Sequence, residues 1–197
     1  PVGELLRSTS VPASVDWSTQ GKVTPVKNQQ QCGSCWAFST TGSVEGAWAI
    51  AKNNLVSLSE QQLVDCSGSY GNQGCNGGLM DSAFKFIIAN KGICSESAYP
   101  YTAADGTCKA GGGSTSCPYV ANIQGYQDVP TANMTALMAA IVQQPVSVAV
   151  EADQGSFQFY SGGVMTQACG TALDHGVLAV GYGTLSGQDY YKVNKSW

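Results

Sequence analysis

The cysteines constrain this chain more than any other feature: eight of them, with 24 glycines, in 197 residues. That density fits an oxidising compartment (secreted, lysosomal or vacuolar) in which disulfides persist. Eight cysteines allow 105 complete pairings, so spacing alone leaves the connectivity open. Against them stands a single histidine, His175. One histidine excludes a multi-histidine metal site built by this chain alone, and any imidazole chemistry must run through residue 175. No metal or other cofactor is expected.

The length suits one large domain or two small lobes. Hydrophobic residues make up 43%, enough for a packed core, while charged residues are 11% against about 25% in ordinary soluble domains. A net charge of −4 argues against nucleic acid or an anionic membrane as partner. No apolar run approaches the roughly 18 residues of a membrane span. The chain begins at Pro1, without Met or a signal peptide, as a processed or trimmed chain does. One sequon, Asn133-Met134-Thr135, fits a secretory route, although such matches often go unused.

Periodicity divides the chain. Ser34 to about Ala51 carries Trp36, Ala37, Phe38, Val44, Ala47, Trp48 and Ala51 at near-helical spacing. Ser59 followed three residues later by Gln62 resembles a capping box. Leu79 to Asn90 reads as a second apolar helix ended by Lys91-Gly92. Thr131 or Asn133 can cap a helix running to about Gln143, which Pro145 stops. Val146, Val148 and Val150 then alternate with smaller or polar residues at the period of a strand, and Leu173–Tyr182 and Asp189–Val193 are further strands. GVLAVGYG, residues 176–183, lacks the Lys and Ser/Thr of a phosphate loop and reads as a buried strand. Ala110 to Ser114 reads as a surface loop. The division is thus a mainly helical lobe over 11–120 carrying Cys35 and a β-rich lobe over 121–197 carrying His175, with a ligand cleft between them.

Within QQQCGSCWAFS, residues 29–39, Cys35 falls in the first turn of the first helix. There the helix dipole and unpaired N–H groups favour thiolate over thiol. Gly33 just before it lets a ligand approach the backbone. The thiolate is the reactive form, so the position suits a nucleophile, but a disulfide cysteine fits the local pattern equally well.

Cys32-Gly33-Ser34-Cys35-Trp36 is the signature of papain-like cysteine proteases, and the chain resembles that family well beyond it. The family's histidine lies about 130–150 residues downstream of the nucleophile, and His175 follows Cys35 by 140. LSEQQLVDCS, GCNGGLMDSAF, YPYTA, PVSVAVEA and LDHGVLAVGYG, beginning at 58, 74, 99, 145 and 173, look like family segments in family order. The resemblance runs from about residue 11 to the end, and the most similar branch is that of cathepsin L-type endopeptidases.

That resemblance implies an α+β fold, a helical lobe and an antiparallel β-barrel lobe with the active-site cleft between them. It implies that Cys35 is the nucleophile and His175 the general base and acid, paired as thiolate and imidazolium. It places Gln29 as oxyanion-hole donor beside the Cys35 N–H. Gly77 and Gly78, with Gly33, match a strip that pairs with an extended peptide backbone. Leu79, Met80, Ala149, Leu173 and Gly176 match an apolar pocket for the second residue before the scissile bond, suited to Leu, Phe or Val. Asp174 and Trp197 match positions flanking the histidine and the cleft. The resemblance also implies disulfides Cys32–Cys75 and Cys66–Cys108; Cys94 and Cys117 are extra and are taken to pair, leaving Cys35 a free thiolate and Cys169 alone.

Three positions depart from the pattern. The catalytic strand of the family ends Asn-Ser-Trp, whereas this chain reads Asn194-Lys195-Ser196-Trp197. The family Asn accepts a hydrogen bond from the imidazole; Lys has no acceptor, and its charge disfavours a neighbouring imidazolium. Either Asn194 faces away and catalysis is weakened, or a local slip returns Asn194 to the site as a catalytic residue. Gln30 replaces a usual Gly beside Gln29 and narrows the cleft. Finally, the family continues past Trp197, so the natural chain is expected to be longer, and Pro1–Ser10 look like a propeptide remnant on a mature form.

The leading function is a cysteine endopeptidase working on protein or peptide substrates at acid pH. Propeptide or cystatin-type inhibitors are its expected partners, and a monomer in a lysosome, vacuole or secretion its expected state. Its rival is a catalytically impaired homologue that binds rather than cleaves. A thiol–disulfide oxidoreductase using Cys32 and Cys35 has the right spacing but the wrong surroundings.

Overall fold

The computed structural model describes residues 11–109 and 117–196; the residues expected to be a propeptide remnant, the loop expected at 110–114, and Trp197 lie outside them. The chain folds around one helix, α1 (Cys35–Lys52), which is buried along nearly its whole length. One face carries Trp36, Ala37 and Val44 into a core shared with Leu58, Leu63, Ala83, Ile87 and Ile93. α2 (Glu60–Cys66) and α3 (Met80–Asn90) pack on that side, with a small sheet of β2 (Ile93–Cys94) and β3 (Tyr119–Ala121).

The opposite face of α1 meets a four-stranded antiparallel sheet: β1 (Val15–Asp16), β4 (Val146–Val150), β5 (His175–Leu185) and β6 (Gln188–Asn194). Two glycines at helical i, i+4 spacing let the helix and sheet approach. A Cβ on Gly42 would lie 2.7 Å from Leu178, and one on Gly46 would lie 2.5 Å from Pro145. Hydroxyls on the same face close the contact: Ser39 donates to the Val177 carbonyl at 2.7 Å, Ser43 to the Pro145 carbonyl at 3.1 Å, and Ser147 back to the Ser39 carbonyl at 2.9 Å. Buried polar groups are tolerable because each finds a partner.

β5 is the spine of the sheet. β4 pairs with its first half, from Val146↔Ala179 to Val150↔His175, and β1 continues the same edge at Gly181 and Tyr182. β6 lines the other edge from Leu178↔Asn194 to Leu185↔Gln188, with an irregularity between Ala179 and Gly181. Residues 11–16 thus reach across to the β-rich side, where Val11 and Val15 join the core of Ile141, Ala179 and Tyr182. Two further helices are α4 (Met134–Gln143) and the short α5 (Gly155–Gln158).

Several local expectations meet their structure here. Asn133 caps α4, its side chain accepting from the Ala136 N–H at 2.9 Å while the residue stays exposed. Ser59 caps α2 through the Gln62 N–H at 3.0 Å, but the capping box closes only halfway. The Gln62 side chain instead accepts from Cys94 N–H at 2.8 Å, and the Ser59 N–H goes to the Cys94 carbonyl. The reciprocal bond is given up to tie α2 to β2. Cysteines pair 32–75, 66–108 and 94–117, with Cα separations of 4.6, 4.8 and 5.5 Å. Cys35 and Cys169 are free.

Candidate active site

Cys35 is the first residue of α1. Ser34 stands at the N-cap position but does not cap; its hydroxyl bonds the Tyr101 hydroxyl at 2.6 Å. No acidic residue occupies the first turn. The positive end of the helix is therefore neither capped by a side chain nor neutralised where the thiol sits, the setting that favours thiolate. Across from it, His175 opens β5, and the next N–H, that of Gly176, points at Cys35 Sγ at 3.3 Å. Gly176 is a spacer that brings strand and helix together: a Cβ there would lie 3.2 Å from Met80 Sδ and 3.4 Å from the Cys35 carbonyl. Cys32 is bound to Cys75, so the Cys32–Cys35 redox pair has lost one partner to a structural bridge.

Gln29 is buried on the Cys35 side. Its amide nitrogen donates to the Cys32 carbonyl at 3.1 Å, and its amide oxygen accepts from Ser196 Oγ at 3.0 Å. Tyr101 hydroxyl donates to the Gln29 carbonyl at 2.8 Å. An amide nitrogen carries two hydrogens, so one stays available beyond the Cys32 bond. Ser34, Tyr101 and Ser196 were not singled out from the sequence. Tyr101 lies in YPYTA, but nothing in that segment says that its hydroxyl reaches back 72 residues.

The glycines divide. The room a Gly33 side chain would take is filled by the Cys75 carbonyl, 2.6 Å from that Cβ, which also accepts the Gly33 N–H at 2.9 Å. The close approach expected for a ligand is thus already made by the chain's own backbone. Gly78 packs on Trp36, with 2.7 Å between its would-be Cβ and the ring. Gly77, at φ 113°, has open space where a Cβ would stand. Leu79 and Leu173 are strongly exposed, 66% and 63%, and Ala149, also exposed, pairs with Gly176 across the sheet. Met80 is half-buried against the helical core.

The strand end holds Asn194 and Lys195. Asn194 closes β6 opposite Leu178 and lines a small cavity of about 30 Å³ beneath α1, with Lys27, Glu45 and Glu60. Side chains alternate along a strand, so transposing two residues exchanges their faces. Asn194 thus stands at this cavity at the strand end, with Lys195 following it beyond β6. The Lys195 Nζ lies 3.8 Å from the centre of the Phe157 ring. Burial holds the His175 imidazole below its ordinary pKa, and Lys195 pushes it the same way, while hydrogen bonding to the Ser196 backbone and the Asp174 carboxylate oppose the shift. Asp174 is exposed, and its Oδ1 accepts the Ala152 N–H at 2.7 Å. Among the described residues no group of three or more His, Cys, Asp or Glu is placed to hold a metal ion, and no helix is long and apolar enough to cross a membrane.

Residues 11–197 match the papain family cysteine protease group over all but the first ten residues. The chain belongs to the papain family. The senescence-specific cysteine protease SAG39 of Oryza sativa subsp. japonica is 55% identical over 98% of this papain-family chain and 56% of its own length. The KDEL-tailed cysteine endopeptidase CEP2 of Arabidopsis thaliana is 53% identical over 96% of this chain and 51% of that one. The chain therefore spans a little over half of such relatives. Bromelain from Ananas comosus, solved with the E64 inhibitor, superposes with a TM-score of 0.89 at 48% identity, covering 95% of this chain and 84% of that one. The α+β papain fold follows from both the described elements and this likeness.

Proposed function

We propose that the chain is the peptidase portion of a cysteine endopeptidase. The observation that carries this is the meeting of Cys35, free at the uncapped head of α1, with the strand that His175 opens, Gly176 N–H lying 3.3 Å from the sulfur. Cys35 thiolate attacks the peptide carbonyl, and a carbon–sulfur bond forms. The oxyanion takes hydrogen bonds from the Cys35 N–H and the remaining Gln29 amide hydrogen. His175 gives its proton to the amine as the carbon–nitrogen bond breaks, leaving a thioester. It then takes a proton from water as the water oxygen bonds to the thioester carbon; the carbon–sulfur bond breaks, releasing the acid and restoring the thiolate beside the imidazolium.

Gly77 offers open backbone to an extended peptide, with Gly78 beside it. Leu79, Met80, Ala149, Leu173 and Gly176 form the apolar recess that prefers Leu, Phe or Val at the second residue before the cut. Protein or peptide substrates and peptide-like inhibitors, including propeptide or cystatin types, are the partners. The three disulfides and the KDEL-tailed relative support a secretory route to vacuole, lysosome or exterior. An epoxysuccinyl peptide, which traps an activated cysteine, tests the reading at about pH 5.5, below the unperturbed His pKa of roughly 6.5. Mass mapping is expected to find one label per chain, on Cys35. A chain that refuses the label while a simple alkylating agent still modifies Cys35 is not an active peptidase.

A further inference from the structure

We propose that Lys195 is a positioning residue for this reaction: seated on the Phe157 ring at the end of β6, its ammonium sets the acid pH window in which Cys35 and His175 work as a pair. The inference rests on the peptidase reading and adds a regulation of its site.

Asn194, the last residue of β6, pairs with Leu178 of β5, so Lys195 follows beside the start of β5, where the Ser196 backbone is hydrogen-bonded to His175. There the Lys195 Nζ is buried and lies 3.8 Å from the Phe157 ring centre, a contact that favours a cation. Phe157 lies in α5, outside the sheet, so the ammonium is held by an element of its own rather than left to swing into water.

The charges around the pair decide the sign. Lys195 and Asp174 bear on His175, and Asp174 bears on Lys195. From α1 comes Cys35, and from α5 the Phe157 ring. At the end of β4, Val150 is the register partner of His175, and Glu151 beyond it accepts from Gln154 and from the Ala172 N–H. Asp174 attracts both cations but is exposed and shared with the Ala152 N–H. An ammonium beside an imidazole opposes the imidazolium and favours a nearby thiolate. The alkaline limb of the pH profile, which His175 sets, therefore moves to lower pH. Burial lowers Lys195 itself only to about 8, so it keeps its charge throughout the range in which His175 titrates. Lys195 thus acts as a fixed charge and not as a second titrating partner.

Because His175 is the only histidine, its ring protons are a single NMR probe of this idea. The titration is run on the full chain carrying Cys35→Ala, with no thiolate to perturb the ring. The expected midpoint lies below 6.5; Lys195→Met raises it by about one unit, and Lys195→Arg keeps it low. Phe157→Leu, which removes the seat but keeps the charge, is expected to raise it by less. Lys195→Gln replaces the Met variant if that one does not fold. In the chain with Cys35 intact, the alkaline limb of Cys35 alkylation is expected to move up by the same unit, about tenfold in proton concentration. A midpoint unchanged in both Met and Gln variants overturns the proposal, as does an Arg variant that behaves like Met. Because the titration needs no turnover, a low midpoint in the Cys35→Ala chain, when the chain with Cys35 intact rejects the epoxysuccinyl label, sinks the peptidase reading alone.

Discussion

The two sides of the proposed site are built differently. The wall bearing Cys35 and Gln29 is held at many points: the Cys32–Cys75 bridge, the Gly33–Cys75 backbone bond, and the hydroxyls of Tyr101 and Ser196 on Gln29. The facing wall opens β5 with His175, preceded by exposed residues 170–174 and followed in space by Lys195 and Phe157. Among the described residues all three disulfides lie on the helical side. A nucleophile and an oxyanion donor must be fixed to within fractions of an ångström. A proton carrier is governed as much by its electrostatic surroundings, and here those surroundings hold the Lys195 ammonium.

The comparison breaks most visibly at the bridge. Cys32→Ala with Cys75→Ala opens a span of 43 residues, for which chain entropy gives a loss of about 4 kcal/mol in unfolding free energy. The span between Cys94 and Cys117 is 23 residues, and its loss is expected to cost about 3.4 kcal/mol. Urea unfolding measures both. Epoxysuccinyl labelling of Cys35 below the unfolding midpoint should slow in the first variant and not in the second; equal rates would mean that the bridge does not hold the wall. Next in size is Gln29→Ala, expected to cost kcat about 10²–10³-fold with little change in KM, while Ser196→Ala, which only orients the amide, costs less. A Ser196 effect as large as that of Gln29 would move the oxyanion donor away from the amide.

How far the sequence could be read follows the same division. Cys35 at a helix head, the end of α3 at Lys91-Gly92 and the strand alternation near Val146 were legible because each is a local pattern. The polar face of α1 was not. Ser39, Thr40, Thr41 and Ser43 look like a solvent face, yet all are buried, since their partners are carboxylates and carbonyls supplied by distant segments as well as by the helix itself. Glu45 and Glu60 are likewise fully buried, because Lys27, from a loop 18 and 33 residues earlier, reaches both at 3.0 and 2.6 Å. Asn194 and Lys195 differ by a single step, and on a strand one step exchanges the two faces.

That buried cluster yields a smaller effect with a definite sign. Burial, above all, pushes Glu60 from 4.5 up to about 8, Lys27 drawing it down and Glu45 pushing it further up. The folded chain keeps this proton where the unfolded chain has released it. Its stabilisation is complete below about pH 4.5 and is lost as pH rises towards 8. Lys27, raised above 10.5, adds nothing to the slope in that window. The urea midpoint is expected to fall between pH 5 and 8, and Glu60→Gln to flatten the fall. An undiminished slope in that variant would assign the pH dependence to other groups.

The smallest effect tests whether the well-held wall carries strain of its own. Gln30 stands beside Gln29 with φ 54°, a left-handed conformation that costs an ordinary residue about 1–2 kcal/mol. Its N–H donates to Asn28 Oδ1 at 2.8 Å, and its side chain is exposed. Gln30→Gly removes the strain and keeps the N–H. The unfolded chain gains freedom in exchange, so the net stabilisation is expected to be under about 1 kcal/mol. Gln31→Gly is the control. Gln31 is not among the positive-φ residues, so glycine there brings only the entropic loss and should destabilise by about 0.5–1 kcal/mol. Opposite signs in the two urea curves place the strain at residue 30. If both variants lose stability, the Asn28 bond and its surroundings have already relieved it. KM for peptides separates the second consequence, since a narrower cleft at Gln30 predicts that the Gly variant binds substrate more tightly without a change in kcat.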